Sequence, residues 1–106
     1  MSNNISKCKI TVLKRTINRD LAEEYLKGGG DLCECEVLSD GQEIIVEDPF
    51  SMPEGFCSWA WGDIRGDVMS IATGSSLPWM KSKGTMITGC TDYFRPVIFK
   101  LERMEE

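Results

Sequence analysis

Hydrophobic and polar positions divide the chain into one long helical stripe and several short alternating runs. Within 51–74 (SMPEGFCSWAWGDIRGDVMSIATG), Cys57, Trp61, Ile64, Val68 and Ile71 recur at the i, i+4, i+7, i+11, i+14 spacing of a single helix face. Phe56, Ala60 and Ala72 widen that face, while Ser58, Asp63, Arg65, Asp67 and Ser70 fall mostly off it. The pattern predicts a central helix over 51–74. Ser51 with Glu54 three residues later has the form of a capping box, Pro53 fits a first turn, and Gly74 supplies a stop. Gly62 and Gly66 each cost about 0.8–1 kcal/mol relative to alanine inside a helix. Their spacing puts both on one side, which predicts a strand crossing close to them, with a ligand lying against the glycines as the lesser reading.

The remaining elements follow from shorter patterns. Over 8–15, Cys8, Ile10 and Val12 alternate with Lys9 and Thr11, as in a half-buried strand. Asn18 can cap a short helix over 18–27 whose apolar face is Leu21, Ala22, Tyr25 and Leu26. Gly28-Gly29-Gly30 ends it as a flexible turn, because no phosphate-loop pattern follows the glycines. Asp40-Gly41 marks a turn before a strand over 42–47. Beyond Gly74 an irregular connector, 75–84, is expected to close Leu77, Pro78, Trp79 and Met80 over one edge of the core. The strongest period-two signal comes last, where Val97, Phe99 and Leu101 alternate with Ile98, Lys100 and Glu102. That strand, 96–103, pairs in expectation with 85–90 through the loop 91–95. Together these predict one α+β domain over 1–106 with a frayed start at 1–6. Its mainly antiparallel sheet of about four strands is packed by one long central helix and one short helix.

Composition narrows the function classes. With 106 residues, 42% hydrophobic and 27% charged, the chain has the make-up of an ordinary globular domain with one core. No apolar run approaches the ~18 residues of a membrane span, and the first ten residues lack the apolar core of a signal peptide. A cytoplasmic protein is expected, without a membrane partner. Net charge of −5 is a poor match to a polyphosphate, so nucleic acid is not an expected partner. The absence of histidine excludes histidine-based acid–base or triad catalysis and a Cys₂His₂ zinc site. Five cysteines cannot all pair within one chain, and outside an oxidising compartment they read as thiols.

Three residue sets carry candidate chemistry. Cys33 and Cys35 form a C-x-C pair, while Cys57 and Cys90 stand alone, a spacing unlike the paired knuckles of zinc or iron–sulfur sites. Ordinary thiols acting as small hydrophobes are the leading reading, with a metal site at Cys33, Cys57 and Cys90 or thiol chemistry as the others. Cys57 lies near the positive end of the predicted helix, which stabilises a thiolate, yet it also belongs to the apolar stripe. Cys90 ends a strand and precedes Thr91-Asp92 at the expected rim of the sheet. Cys57, Cys90 and Asp92 are therefore the candidate catalytic residues. Asp63 and Asp67, four apart, read as a solvated acidic face before an acid–base pair. Trp59 falls about 160° from Cys57 on the helical wheel, outside the core stripe. With Trp79 it could bracket a flat ligand or a protein partner, and Arg95 could hold an anion or pair with Asp92; these three form a candidate binding surface.

Several of these stretches together resemble a family of small uncharacterised bacterial and archaeal proteins. The resemblance is carried by Lys9-Ile10-Thr11-Val12, Cys33, Gly41-Gln42-Glu43-Ile44-Ile45-Val46, the opening Pro53-Glu54-Gly55-Phe56-Cys57-Ser58-Trp59-Ala60-Trp61, Cys90-Thr91-Asp92, and Arg95-Pro96-Val97-Ile98-Phe99-Lys100-Leu101-Glu102. It covers nearly the whole chain, implies no particular activity, and draws interest to Cys33, Cys57 and Cys90. Many members carry a second cysteine where this chain has Gly89, which leaves Cys35 as the substitute for any four-ligand site. The resulting expectation is a small cytoplasmic thiol- or metal-dependent protein using Cys33, Cys57 and Cys90, with zinc or an iron–sulfur cluster as the conceivable cofactor. The alternative is a non-catalytic module that binds a small molecule or protein through Trp59, Trp79 and Arg95, with self-association a further option.

Overall fold

The alternation at the two ends of the chain builds the centre of the sheet. In the computed structural model, which describes residues 5–104, β1 (Lys7–Arg15) fully buries Cys8, Ile10 and Val12. β4 (Val97–Met104) does the same with Val97, Phe99 and Leu101. Directly opposed residues of antiparallel strands share a face, and the register sets Ile10 against Leu101 and Val12 against Phe99. β2 (Glu43–Val46) joins the free side of β1, and β3 (Thr85–Gly89) pairs with β4 as the hairpin that the sequence predicts. The result is an open antiparallel sheet in the order β2-β1-β4-β3.

One face of this sheet is covered by α2 (Ser58–Ala72), which buries Ala60, Trp61, Ile64, Val68, Ile71 and Ala72. The helical stripe read from the sequence is thus the core face. Phe56 stands edge-on to Trp61 at 6.2 Å between centroids and packs on Phe99 at 5.7 Å. At the far end Arg103, on the same side of β4 as Leu101, donates to the carbonyls of Ile71 and Ser75 at 3.0 and 2.9 Å. A cation there satisfies carbonyls left open where the helix stops. The α+β architecture, with its four-stranded antiparallel sheet, one long helix and the short α1 (Arg19–Tyr25), is as the pattern predicts.

Several local expectations are corrected. α2 begins at Ser58, not at 51. Gly55 takes φ 80°, a left-handed conformation that interrupts any helix through 51–57, and Phe56 instead closes a turn onto Pro53 O. Ser51 caps nothing here; its hydroxyl donates to Asp48 Oδ2 at 3.2 Å. No strand crosses Gly62 and Gly66, since a Cβ added at either would meet nothing within 4 Å. The connector 75–84 does not close over the core: Pro78 is exposed and Trp79 is 75% exposed. Asn18 occupies the cap position of α1 without a capping hydrogen bond, and its amide donates to Tyr93 O. α1 buries Ala22 while Leu21 and Tyr25 stay exposed. The glycines have local reasons: Gly28 takes φ 69°, a Cβ on Gly29 would collide with Ala22 O, and Gly29–Asp31 forms a 3₁₀ turn. Of the start expected to fray, 1–4 lie outside the described residues, and Ser6 N–H is tied to Ala72 O at 2.9 Å.

One irregularity positions the site. The β1–β4 register shifts between Val12 and Lys14, leaving Leu13 as an extra residue, so that Lys14 opposes Ile98 and Arg15 opposes Val97. The bulge reverses the inward–outward parity of the strand end. Arg15 consequently lies on the core face, beside buried Val97.

Candidate functional site

Three segments far apart in sequence meet where α2 begins. They are the irregular stretch after α1 that carries Cys35, the first turn of α2 with Cys57 and Trp59, and the β3–β4 loop from Cys90 to Arg95. Between them lies a cleft of about 460 Å³, lined by Cys35, Cys57 and Cys90, by Trp59, Tyr93 and Phe94, and by the Asp92–Arg95 pair. Its walls are mainly carbon and sulfur.

Arg15 secures the first wall. Its backbone N–H and Nε both donate to Asp40 Oδ1 at 3.0 Å, and Nη1 reaches Cys35 O at 2.9 Å. The guanidinium holds the Asp40 carboxyl below the ordinary carboxylate range through that hydrogen bond. This tether brings Leu38 into the core and leaves Val37, 58% exposed, at the cleft.

Asp92 shapes the second wall. Its Oδ1 accepts the backbone N–H groups of Phe94 and Arg95, and its Oδ2 accepts Arg95 Nε at 3.0 Å. Asp residues form such turns readily because the side chain mimics a backbone acceptor. Arg95 is therefore neutralised by Asp92, the simpler of the two roles read for it.

The third wall is bolted to the second. Asp63 accepts from Thr91 N–H and Thr91 Oγ1, while Trp59 Nε1 donates to Thr91 Oγ1 at 3.0 Å. Asp67 accepts from Thr88 Oγ1 at 2.8 Å. The two acids are not a merely solvated face: Asp63 fastens α2 to the β3–β4 loop and Asp67 fastens it to β3. Trp59 keeps 67% of its surface exposed although its indole nitrogen is fixed.

The cysteines divide by environment. Cys90 donates its N–H to Val97 O at 3.1 Å, and Val97 N–H is directed at Cys90 Sγ at 3.3 Å. Cys57 is the N-cap residue of α2, and its carbonyl accepts Trp61 N–H at 2.9 Å. Cys35, Cys57 and Cys90 are half-buried against the core. Cys33 does not line the cleft: it is exposed, and its hydrogen bond with Glu36 Oε2 at 3.2 Å raises its pKa. Cys8 is sealed in the sheet, and burial pushes its thiol up to about 11.

The candidate sets are therefore partly assembled. Cys57, Cys90 and Asp92 share the cleft with Trp59 and Arg95. Trp79 does not, because it follows the C-terminal end of α2 whereas Trp59 is in the first turn, and 15 helical residues separate those ends by about 22 Å. Among the described residues, no three of His, Cys, Asp or Glu are grouped to hold a metal ion, so Cys33, Cys57 and Cys90 form no zinc or iron–sulfur ligand set. Cys33 precedes the stretch that Arg15 tethers and is not drawn inward with Cys35. A second cysteine at position 89 would not help. Gly89 opposes Ile98 on the face away from Cys90, and a Cβ there would stand 2.9 Å from Val97 O. Tyr93 and Phe94 are not singled out by the sequence, and Cys35 enters there only through its C-x-C spacing with Cys33 and as a substitute ligand; the break in alternation at Leu13 is the signal that favours it over Cys33.

No family model, curated protein or solved structure matches the chain. Among the described residues, no helix is long and apolar enough to cross a membrane.

Proposed function

We propose that this protein is a thiol-dependent ligand-binding module whose cleft receives a small, largely apolar or aromatic molecule. One observation carries the reading: Cys35, Cys57 and Cys90 line a single cleft together with Trp59, Tyr93 and Phe94. A cleft of about 460 Å³ is within the size range of small-molecule sites. The exposed rings of Trp59 and Tyr93, beside half-buried Phe94, favour a flat apolar ligand. The thiols lining the same cleft offer soft, polarisable contacts and a latent nucleophile. A cytoplasmic setting, where thiols stay reduced, belongs to this proposal. Cys35 replaces Cys33 in the working set.

Titration with an apolar naphthalene dye tests the reading. One saturable site is expected, and it should be lost in Val37→Trp, which fills the mouth of the cleft from an exposed position. Dye bound equally well by Val37→Trp would remove the cleft as the binding site.

A further inference from the structure

We infer that Cys90 is the reactive thiol of this cleft and that its co-reactant is a low-molecular-weight disulfide bearing an apolar or aromatic group. The inference rests on the cleft reading above and adds the chemistry.

Two observations support it. In a regular antiparallel ladder the N–H of Val97 would be taken by Cys90 O, closing the pair that Cys90 N–H opens to Val97 O. Here Val97 N–H points at Cys90 Sγ instead, at 3.3 Å. That N–H fixes the orientation of the Cys90 side chain and supplies a donor to the sulfur as it exchanges partners. The second observation is the company Cys90 keeps. Cys35 and Cys57 line the same cleft, whereas Cys8 is sealed in the core and Cys33 is outside, engaged with Glu36. Alkylation by a carbon electrophile would leave the thiols on the other two walls of the cleft without a role. Thiol–disulfide exchange uses them.

The step balances without another reagent. The Cys90 thiolate attacks one sulfur of the disulfide RSSR; the S–S bond breaks, a Cys90–S–S–R bond forms, and RS⁻ leaves with the proton that Cys90 gave up. Cys35 or Cys57, as thiolate, then attacks Cys90 Sγ and expels the second RS⁻, which takes the proton of the attacking thiol. Two protein thiols are oxidised to one disulfide, and one RSSR is reduced to two RSH. The aromatic walls of the cleft give selectivity for R.

Reduced protein is mixed with dithiobis(nitrobenzoate), an aryl disulfide, and in parallel with glutathione disulfide. Samples are quenched in acid and mapped by peptide mass. Exposed Cys33 serves as the internal reference. Cys90 should be modified first by the aryl reagent, roughly tenfold faster than Cys33, and glutathione disulfide should show a smaller preference. The parent protein should go on to release a second aryl thiol, whereas the Cys35→Ser/Cys57→Ser double variant should retain the mixed disulfide on Cys90. Modification of Cys33 ahead of Cys90 in the parent protein overturns the inference without any variant having to fold. An adduct on Cys90 that persists equally in parent and double variant overturns the resolving step. The dye titration separates the two failures: a dye-binding protein with an inert Cys90 loses only this inference, and a protein that binds no dye loses the cleft itself.

Discussion

Asp63 accepts both the backbone N–H and the hydroxyl of Thr91, at 2.7 and 2.9 Å, across the junction between α2 and the β3–β4 loop. Because Thr91 Oγ1 also receives the indole N–H of Trp59, one carboxylate fixes the rim of the cleft and the aromatic that stands on it. Asp63→Ala is expected to cost about 0.5–1.5 kcal/mol, since Thr91 is exposed and water can take up the donors that the carboxylate leaves. Asp63→Asn should lose less, and the coupling to Thr91→Val in a double-mutant cycle should be at least ~0.5 kcal/mol. Denaturant unfolding checks each value. Full additivity of Asp63→Ala and Thr91→Val would mean that the two side chains do not act together.

Gly62 and Gly66 lie on the exposed side of α2 with open space where a Cβ would go, and neither has a positive φ. Gly62→Ala and Gly66→Ala should each stabilise the protein by about 0.5–1 kcal/mol, from reduced entropy of the unfolded chain and better helix propensity. Thermal unfolding should move up by several degrees, roughly 4–8 °C for each kcal/mol in a domain of this size. A fall in midpoint for either variant would mean that something does pack against the glycines.

The Arg15–Asp40 pair makes the first wall of the cleft sensitive to acid. Asp40 has its pKa lowered in the folded state by the hydrogen bond from Arg15. A depressed carboxyl contributes above its unfolded value, 3.8, and that contribution is lost as pH falls through the folded value. Hydrogen exchange over 34–40 should therefore accelerate below about pH 4, with the rest of the sheet still protected. Arg15→Ala should show the fast exchange at neutral pH and little further change on acidification. An acid response unchanged by Arg15→Ala would assign it to another group.

Cys8 predicts the opposite pH dependence. Burial foremost, with Glu102 nearby, raises its thiol from 9.0 to about 11. The neutral form is the one the fold accommodates, so its contribution is complete below pH 9 and is lost as pH rises toward 11. The loss should be on the order of 2 kcal/mol and should be absent in Cys8→Ala, whose own cost at neutral pH is about 1–2 kcal/mol. Alkylation of Cys8 should require unfolding. Fast labelling of Cys8 in the native protein would contradict its place in the core.

The sheet and the helix face were legible because burial imposes simple periods: Cys8, Ile10 and Val12 on β1, Val97, Phe99 and Leu101 on β4, and Trp61, Ile64, Val68 and Ile71 on α2. The sequence pattern places the start of α2 too early because Ser51, Pro53 and Glu54 form a local capping pattern, while Gly55 in their midst is the residue that decides the backbone. The site was harder. Its residues come from irregular segments whose placement depends on pairwise bonds such as Arg15 to Cys35 O and Asp63 to Thr91, and periodicity carries no information about those. Cys57 and Cys90 could be suspected from residue type. That Cys35, and not Cys33, joins them follows from the strand register.

Leu13 gives that register an odd consequence. It contributes little of its own to the cleft, yet its being passed over in the pairing decides which cation faces inward. A chain of the same length in which Leu13 paired regularly with Ile98 would turn Lys14 toward the interior and Arg15 toward the open face, whereas Lys14 now opposes Ile98 and Arg15 opposes Val97. The tether to the Cys35 segment would be cut with every side chain still encoded. Whether one residue is paired or passed over, more than the identity of any cleft residue, then decides whether Cys35 is held with Cys57 and Cys90.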